Sequence, residues 1–383
     1  MTSRDATELF DPISRDDLTR FRRALRGWYG RRARDLPWRR TGAPYPIWIS
    51  EIMLQQTTVA AVIPYFERFL TQFPDIHTLA AADESEVLKL WEGLGYYSRA
   101  RNIHRAAKQL ASERDGVFPE NVDELVALPG IGRYTAGAIM SFAFNRPAPI
   151  VEANTLRLYS RLLALEEDPR STRGQRILWS FAEHLLPRSN AGEFNQALME
   201  LGSQTCTPTA PDCPHCPARK VCRAFNNGLQ NEIPVAAKRP EITTVFEAAI
   251  AVRCGDQYLL RQNPEGQRWA GLWDFVRFPI PDAEQQLPSA GLKSSKQLPA
   301  RLVRSLESES QKLVATDIAV DRFLGEIRHS VTRFRIHLQC FLAESPAAKI
   351  VPADNIAWVT VDEFPGYPLS VTGRKLASIV SSL

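Results

Sequence analysis

Four cysteines fall within seventeen residues, in the order Cys206-x6-Cys213-x2-Cys216-x5-Cys222. The N-terminus carries Asp5, Glu8 and Asp11 where a signal peptide would place basic and then apolar residues. The chain therefore reads as cytosolic, where a disulfide framework is not expected and clustered cysteines point to a metal. Four thiolates at this spacing suit either zinc or an iron–sulfur cluster on chemical grounds. Either would staple residues 206–222 into a closed loop. Cys254 and Cys340 stand alone and read as small core residues.

Upstream lies Leu128-Pro129-Gly130-Ile131-Gly132-Arg133-Tyr134, between a short helix over Val122 to Ala127 and a small-residue helical run from Thr135. Two glycines two apart give a turn with permissive φ and no side chain to block close approach. Backbone N–H groups entering a helix N-terminus there suit a phosphate, and Arg133 adds a charge beside it. A second glycine pair, Gly93-Leu94-Gly95-Tyr96-Tyr97, carries aromatics ahead of Arg99 and Arg101. Adjacent tyrosines do not easily both point inward, and an exposed ring on such a loop can wedge into stacked bases.

Charge follows the same division. The whole chain has 47 basic and 43 acidic side chains. Residues 241–383 balance at 16 and 16, so the excess of four lies before them. Nine arginines (20, 22, 23, 26, 31, 32, 34, 39 and 40) against the single acid Asp35 lean toward phosphate contacts beside Trp38. No apolar run approaches the roughly 20 residues of a membrane span.

The first part of the chain reads as helical: residues 15–29, then Ile47 to Phe73 with Pro64 as an interruption, then the hairpin, then a helix after Pro149 that carries Arg157 and Arg161. Glu51, Gln55 and Gln56 are polar groups inside an apolar helix. Pro234 to Pro240 reads as linker. Beyond it the pattern turns to strands at Ala248 to Arg253, Tyr258 to Arg261 and Phe334 to Leu342, with helices at Ala300 to Lys312 and near the C-terminus, an α+β arrangement. The polar stretch Pro281 to Pro299 reads as a mobile loop. The expected domains are 15–225, with the cysteine loop at 206–222, a linker at 226–244, and 245–383.

Together, the hairpin with a carboxylate twenty residues past Gly132 and the cysteine spacing resemble the helix-hairpin-helix DNA glycosylases with an iron–sulfur loop. Leu36-Pro37-Trp38, Ser50-Glu51 through Thr57 and Gly93-Leu94-Gly95-Tyr96-Tyr97 resemble the MutY adenine DNA glycosylases in particular. The later half, including Trp269-Ala270-Gly271-Leu272-Trp273-Asp274-Phe275, resembles their Nudix-like domain. The resemblance implies an all-α glycosylase domain followed by an α+β domain, and a [4Fe–4S] cluster on the four cysteines. It implies a cytoplasmic monomer, nucleoid-associated if bacterial, acting on double-stranded DNA and removing adenine opposite 8-oxoguanine or guanine.

By the same resemblance Glu51 protonates adenine and handles the water, Asn154 orders that water, and Glu152 faces the sugar. Trp38, Arg39 and Gln196 match the base pocket, and Tyr96 and Gln55 match wedge positions. Arg34, Leu54, Gln56, Gly130 and Gly132 fall among the DNA-facing residues. An acid on an apolar helix should have a raised pKa, which suits proton delivery at neutral pH. Tyr134 stands where bifunctional relatives carry a Schiff-base lysine, so lyase activity is disfavoured.

The chain departs from the family pattern in three places. Glu152-Ala153 replaces an Asp-Gly; moving a charge from ~4 to ~5.5 Å would lower its attraction for the sugar cation from ~4 to ~3 kcal/mol at an effective dielectric of about 20, roughly a five-fold rate effect. Arg304-Ser305-Leu306-Glu307-Ser308-Glu309-Ser310 does not supply a Nudix metal helix. Val331-Thr332-Arg333 replaces a Phe-Ser-His loop that reads the oxidised guanine; Thr332 retains a hydroxyl and Arg333 offers a guanidinium for a base edge or a phosphate. Two other readings compete: a relative that excises oxidised pyrimidines, and a non-catalytic iron–sulfur DNA-binding protein with a structural Glu51.

Overall fold

The computed structural model describes residues 9–235, 241–280, 295–314, 317–345 and 355–383. Residues 236–240 of the expected linker and 281–294 of the expected loop lie outside them. The chain divides into two compact units, residues 1–81 with 102–238 and residues 82–101 with 239–383.

The first unit is helical. Its long helices run Arg15–Arg32, Pro44–Met53, Val59–Gln72, Arg133–Phe142, Ala153–Leu163, Thr172–Leu185 and Ala191–Gln204. Side-chain oxygens start several of them: Ser14 accepts from Asp17 N and Ser171 from Gly174 N, caps worth about 1 kcal/mol each. One core joins Phe21, Leu25, Leu158, Phe181 and Leu198 to Cys206, Cys222 and Ile233. Ile233 is buried there and its carbonyl accepts from Arg161 Nε at 2.8 Å. Residues 226–235 therefore pack onto this unit rather than running free.

The expected continuous helix over 47–73 is two helices. Pro64 lies inside the second, and the break falls at Leu54 to Thr58. Gln56 takes a left-handed φ of +59° there, and Thr58 caps the restart by accepting from Ala61 N. Glu51, Gln55 and Gln56 thus sit at a helix end, not along a helix face.

The second unit is a mixed sheet in the order β3-β2-β1-β6-β5, with β4 on β1 and β7 on β2. The strands are β1 Thr243–Cys254, β2 Gln257–Gln262, β3 Trp273–Asp274, β4 Val276–Pro279, β5 Ala319–Val331, β6 Phe334–Glu344 and β7 Ile356–Thr360. β1 and β6 pair in parallel and the other pairs are antiparallel. One face packs Ile336, Leu338 and Cys340 against Leu376 and Val380 of the Val371–Val380 helix. The other packs Ile250, Val252 and Phe341 against Leu302 and Leu306 of the Ala300–Val314 helix. Both faces are covered, as an α+β layer arrangement requires.

Candidate active site

Glu51 lies in the last turn of the Pro44–Met53 helix, where residues 47–53 are all buried. Tyr134, second residue of the helix after the hairpin, donates its hydroxyl to Glu51 Oε2. Burial pushes the Glu51 carboxyl up to about 7, and Glu152 adds to the rise, while the Tyr134 hydrogen bond and Arg39 oppose it. The acid is therefore poised between its forms near neutrality.

Glu152 is the N-cap of the Ala153–Leu163 helix. Its Oε2 accepts from Asn154 N at 2.8 Å and Asn154 Nδ2 at 3.3 Å, and its Oε1 from Thr155 N at 2.8 Å. Burial raises its pKa, and the N–H donors of Asn154 and Thr155 with the Arg157 charge oppose that rise. The longer side chain is thus folded back onto its own helix N-terminus. Asn154 Oδ1 accepts in turn from Arg157 Nη2 at 3.0 Å, and Arg157 also donates to the carbonyls of Gly202 and Cys206. Gly202 permits this packing: a Cβ there would come within 2.8 Å of Asn154 Cβ and O.

One cavity of about 310 Å³ is lined by Glu51, Tyr134, Glu152 and Asn154 together with Arg34, Trp38, Arg39, Leu54, Gln55, Gln56 and Gln196. The sequence reading missed Glu200, which also lines this cavity. Its side chain is fully buried and accepts from Arg34 N, Nε and Nη2 at 3.1, 2.8 and 2.9 Å and from Arg39 Nη2 at 2.8 Å. Burial works against its charge, yet the two guanidinium groups hold its pKa below the ordinary value. Tyr29, also missed, donates to Gln196 Oε1 at 2.9 Å and lies beneath the Arg39 guanidinium. A lone glutamate among Ala197, Leu198, Met199 and Leu201 was the available signal.

The family described as HhH-GPD superfamily base excision DNA repair protein matches residues 49–184, and a NUDIX domain matches 248–378. The adenine DNA glycosylase of Mus musculus is 33% identical over 96% of this chain and 79% of its own length. That of Buchnera aphidicola subsp. Acyrthosiphon pisum is 36% identical over 67% of this chain and 74% of its own. The chain belongs to the adenine DNA glycosylase family. A solved thermostable thymine-DNA glycosylase, 29% identical with a TM-score of 0.51, covers 55% of this chain and 98% of its own.

In this glycosylase the hairpin turn has Gly130 at φ +77°, where a Cβ would strike Asn102 Cβ at 2.6 Å, whereas a Cβ on Gly132 would meet nothing within 4 Å. Among the described residues, no neighbour requires glycine at 132. Arg133, the first residue of the helix after the turn, lies 3.9 Å over the Trp179 ring. Six of the nine clustered arginines have partners among the described residues: Arg34 and Arg39 on the buried Glu200, Arg22 on backbone carbonyls, and Arg20, Arg26 and Arg40 in exposed surface pairs. Arg22 donates to the carbonyls of His184, Leu185 and Leu186, Arg20 pairs with Asp17, Arg26 with Glu193 and Arg40 with Asp35.

Cys206, Cys213, Cys216 and Cys222 line one small cavity with Leu158, Leu162 and the buried Arg161. Arg161 Nη1 donates to Cys206 Sγ at 3.2 Å and to the Thr207 carbonyl at 2.7 Å. Burial raises the Cys216 thiol to about 12 and the Cys222 thiol to about 11. Among the described residues no three His, Cys, Asp or Glu side chains form a ready site for an ion.

Within the second unit, Tyr96 and Thr332 line another cavity, with Trp269 and His329. Tyr96 is 47% exposed while Tyr97 is 5%, the division expected of the pair. Arg333 does not line that cavity; its guanidinium lies 5.1 Å over the Phe334 ring. Among the described residues, no helix is long and apolar enough to cross a membrane.

Proposed function

We propose that this chain removes adenine paired with 8-oxoguanine or guanine from double-stranded DNA, by hydrolysis and without strand cleavage. The observation that carries the reading is Glu51: a carboxyl held near pH 7 by burial, oriented by Tyr134, in a cavity that also holds Glu152 and Asn154. Such an acid delivers a proton to a leaving base at neutral pH and, once ionised, takes one from the attacking water. Glu152, at a helix N-terminus, supplies negative charge for the sugar's developing cation, and Asn154 orders the water. Trp38, Arg39 and Gln196 receive the flipped base, while Tyr96 and Gln55 fill the space that it leaves. Gly130, Gly132 and the helix N-terminus behind them take a backbone phosphate. Tyr134 supplies no amine for a Schiff base, which supports the monofunctional reading.

The four thiols fit a [4Fe–4S] cluster. They surround one cavity rather than one point, and the buried guanidinium of Arg161 offsets the negative charge that four thiolates would bring. A bound cluster would supply cross-linking of the 206–222 loop, with Cys206, Cys213, Cys216 and Cys222 as its ligands.

Single-turnover cleavage of duplexes with adenine opposite 8-oxoguanine, guanine or thymine tests the reading, with borohydride trapping as a check on lyase chemistry. Abasic product from the first two and no trapped adduct is expected. Equal attack on adenine opposite thymine, or a trapped covalent complex, refutes it.

A further inference from the structure

Tyr96 is presented by a segment, 82–101, whose contacts group it with residues 239–383. One tie is Arg374 on the Val371–Val380 helix. Nε and Nη2 of Arg374 donate to the two oxygens of Glu92 at 2.7 and 2.8 Å, a bidentate fork that fixes orientation as well as distance. Nη1 and Nη2 also donate to the carbonyls of Phe364 and Tyr367, each at 2.8 Å. The guanidinium is itself positioned on both sides.

Glu92 immediately precedes the wedge loop. Gly93, Gly95 and Tyr96 have φ values of +103°, +71° and +48°. A left-handed tyrosine costs on the order of 1–2 kcal/mol and persists only where its surroundings over-determine it. Two further contacts hold the segment. Arg101 Nη1 donates to the Ala270 carbonyl, and Gly271, at φ +80°, lies so close that a Cβ would meet Leu88 Cδ1 at 3.2 Å and Glu84 Oε1 at 3.3 Å.

We propose that Arg374 is a positioning residue for base extrusion: through Glu92 the Nudix-like unit sets how Tyr96 is offered to the duplex. The inference rests on reading Tyr96 as the wedge. It gives that unit a part in extruding adenine, separate from reading the base opposite.

The test compares the intact protein with Arg374→Ala, Glu92→Gln, their combination, Tyr96→Ala, and Arg374→Ala on the Tyr96→Ala background. The readouts are stopped-flow fluorescence of 2-aminopurine in place of the target adenine and, separately, duplex affinity. Each single change at 374 or 92 should slow extrusion about tenfold, within the range of directly coupled pairs. The combination should be no worse than the larger single effect, and Arg374→Ala should add nothing once Tyr96 is alanine. Glu92→Gln keeps the side-chain volume and an acceptor for the guanidinium, and keeps the test readable if Arg374→Ala fails to fold. Normal extrusion by Glu92→Gln, or an equal further loss when Arg374→Ala is placed on Tyr96→Ala, overturns the proposal. If Tyr96→Ala itself extrudes normally, the wedge reading fails instead, so the two failures are separable.

Discussion

The Tyr134 hydroxyl donates to Glu51 Oε2 across 83 residues of chain, tying the helix that follows the hairpin to the helix that carries the acid. The contact stabilises the ionised carboxylate and so opposes the rise that burial imposes. Tyr134→Phe should therefore move the basic limb of the pH–rate profile upward, by up to about one unit for the loss of a charge-assisted bond of about 1.5 kcal/mol. An unmoved limb would mean that the acid titrating in the profile is not Glu51.

Glu51→Gln should lose excision by ~10²–10⁴ while retaining mispair binding, as removal of a general acid does. In the intact protein the acid form is lost above about pH 7, so the rate should fall at alkaline pH. Stability moves the same way. A carboxyl raised from 4.5 to about 7 on folding keeps a proton in the native state that the unfolded chain has released. Its cost is absent below pH 4.5 and grows as pH rises through that window, to on the order of 3 kcal/mol. Glu51→Gln should thus raise the melting temperature more at pH 8 than at pH 5. Equal shifts at both pH values would count against a buried, titrating Glu51.

Glu152 combines a cap with a charge, and two variants separate them. Glu152→Ala removes both and should cost about 1 kcal/mol of stability together with most of the activity. Glu152→Gln leaves an acceptor for the Thr155 or Asn154 N–H but no charge, so stability should largely persist while excision falls. Activity retained in Glu152→Gln would make the residue a cap only.

Much of this site was legible because its residues carry chemistry in short, local patterns: Glu51 beside Gln55 and Gln56, Glu152 twenty residues past Gly132, and four cysteines in one loop. What escaped depends on distant partners. Glu200 draws Arg34 and Arg39 from more than 160 positions away, so two of the nine clustered arginines are held inside the pocket by a partner that no local pattern announces. Residues 82–101 belong with the second unit through Arg374 and Ala270, ties that no local pattern announces. Strand β5 was not foreseen because register shifts at Val320/Arg322 and Phe323/Gly325 break its alternation, the signal by which β6 was found. The helix over 47–73 was misread because Pro64, the obvious breaker, lies inside the second helix, whereas the left-handed turn at Gln56 that parts the two has no proline or glycine to mark it.

Glu200 yields its own prediction. Glu200→Ala would leave the guanidinium groups of Arg34 and Arg39 without their carboxylate. Because Arg34 is over a third exposed, the cost should fall below the roughly 3–5 kcal/mol of a fully buried pair. Glu200→Gln keeps the volume and should cost less, while freeing Arg39 to move within the base pocket. A raised KM-like half-saturation with a preserved limiting rate is expected of Glu200→Gln; an unchanged half-saturation would place the network outside substrate binding.

In the proposed reading of the opposite base, Thr332 and Arg333 have separable parts. Thr332 lines the cavity shared with Tyr96, at φ +51°, an unfavourable conformation for a β-branched residue, with its hydroxyl donated to the Val331 carbonyl. Arg333 lies over Phe334 and does not line that cavity. The two uses of Arg333 that the sequence left open are therefore unequal, and phosphate contact is favoured. Arg333→Ala should weaken binding to adenine opposite 8-oxoguanine and opposite guanine alike and flatten the salt slope by about one. Thr332→Ala should change the ratio between the two substrates instead. The Val331–Thr332–Arg333 loop has neither the aromatic nor the histidine of the family pattern, so that ratio should start smaller than in relatives that keep them. A ratio altered by Arg333→Ala and untouched by Thr332→Ala would reverse the assignment.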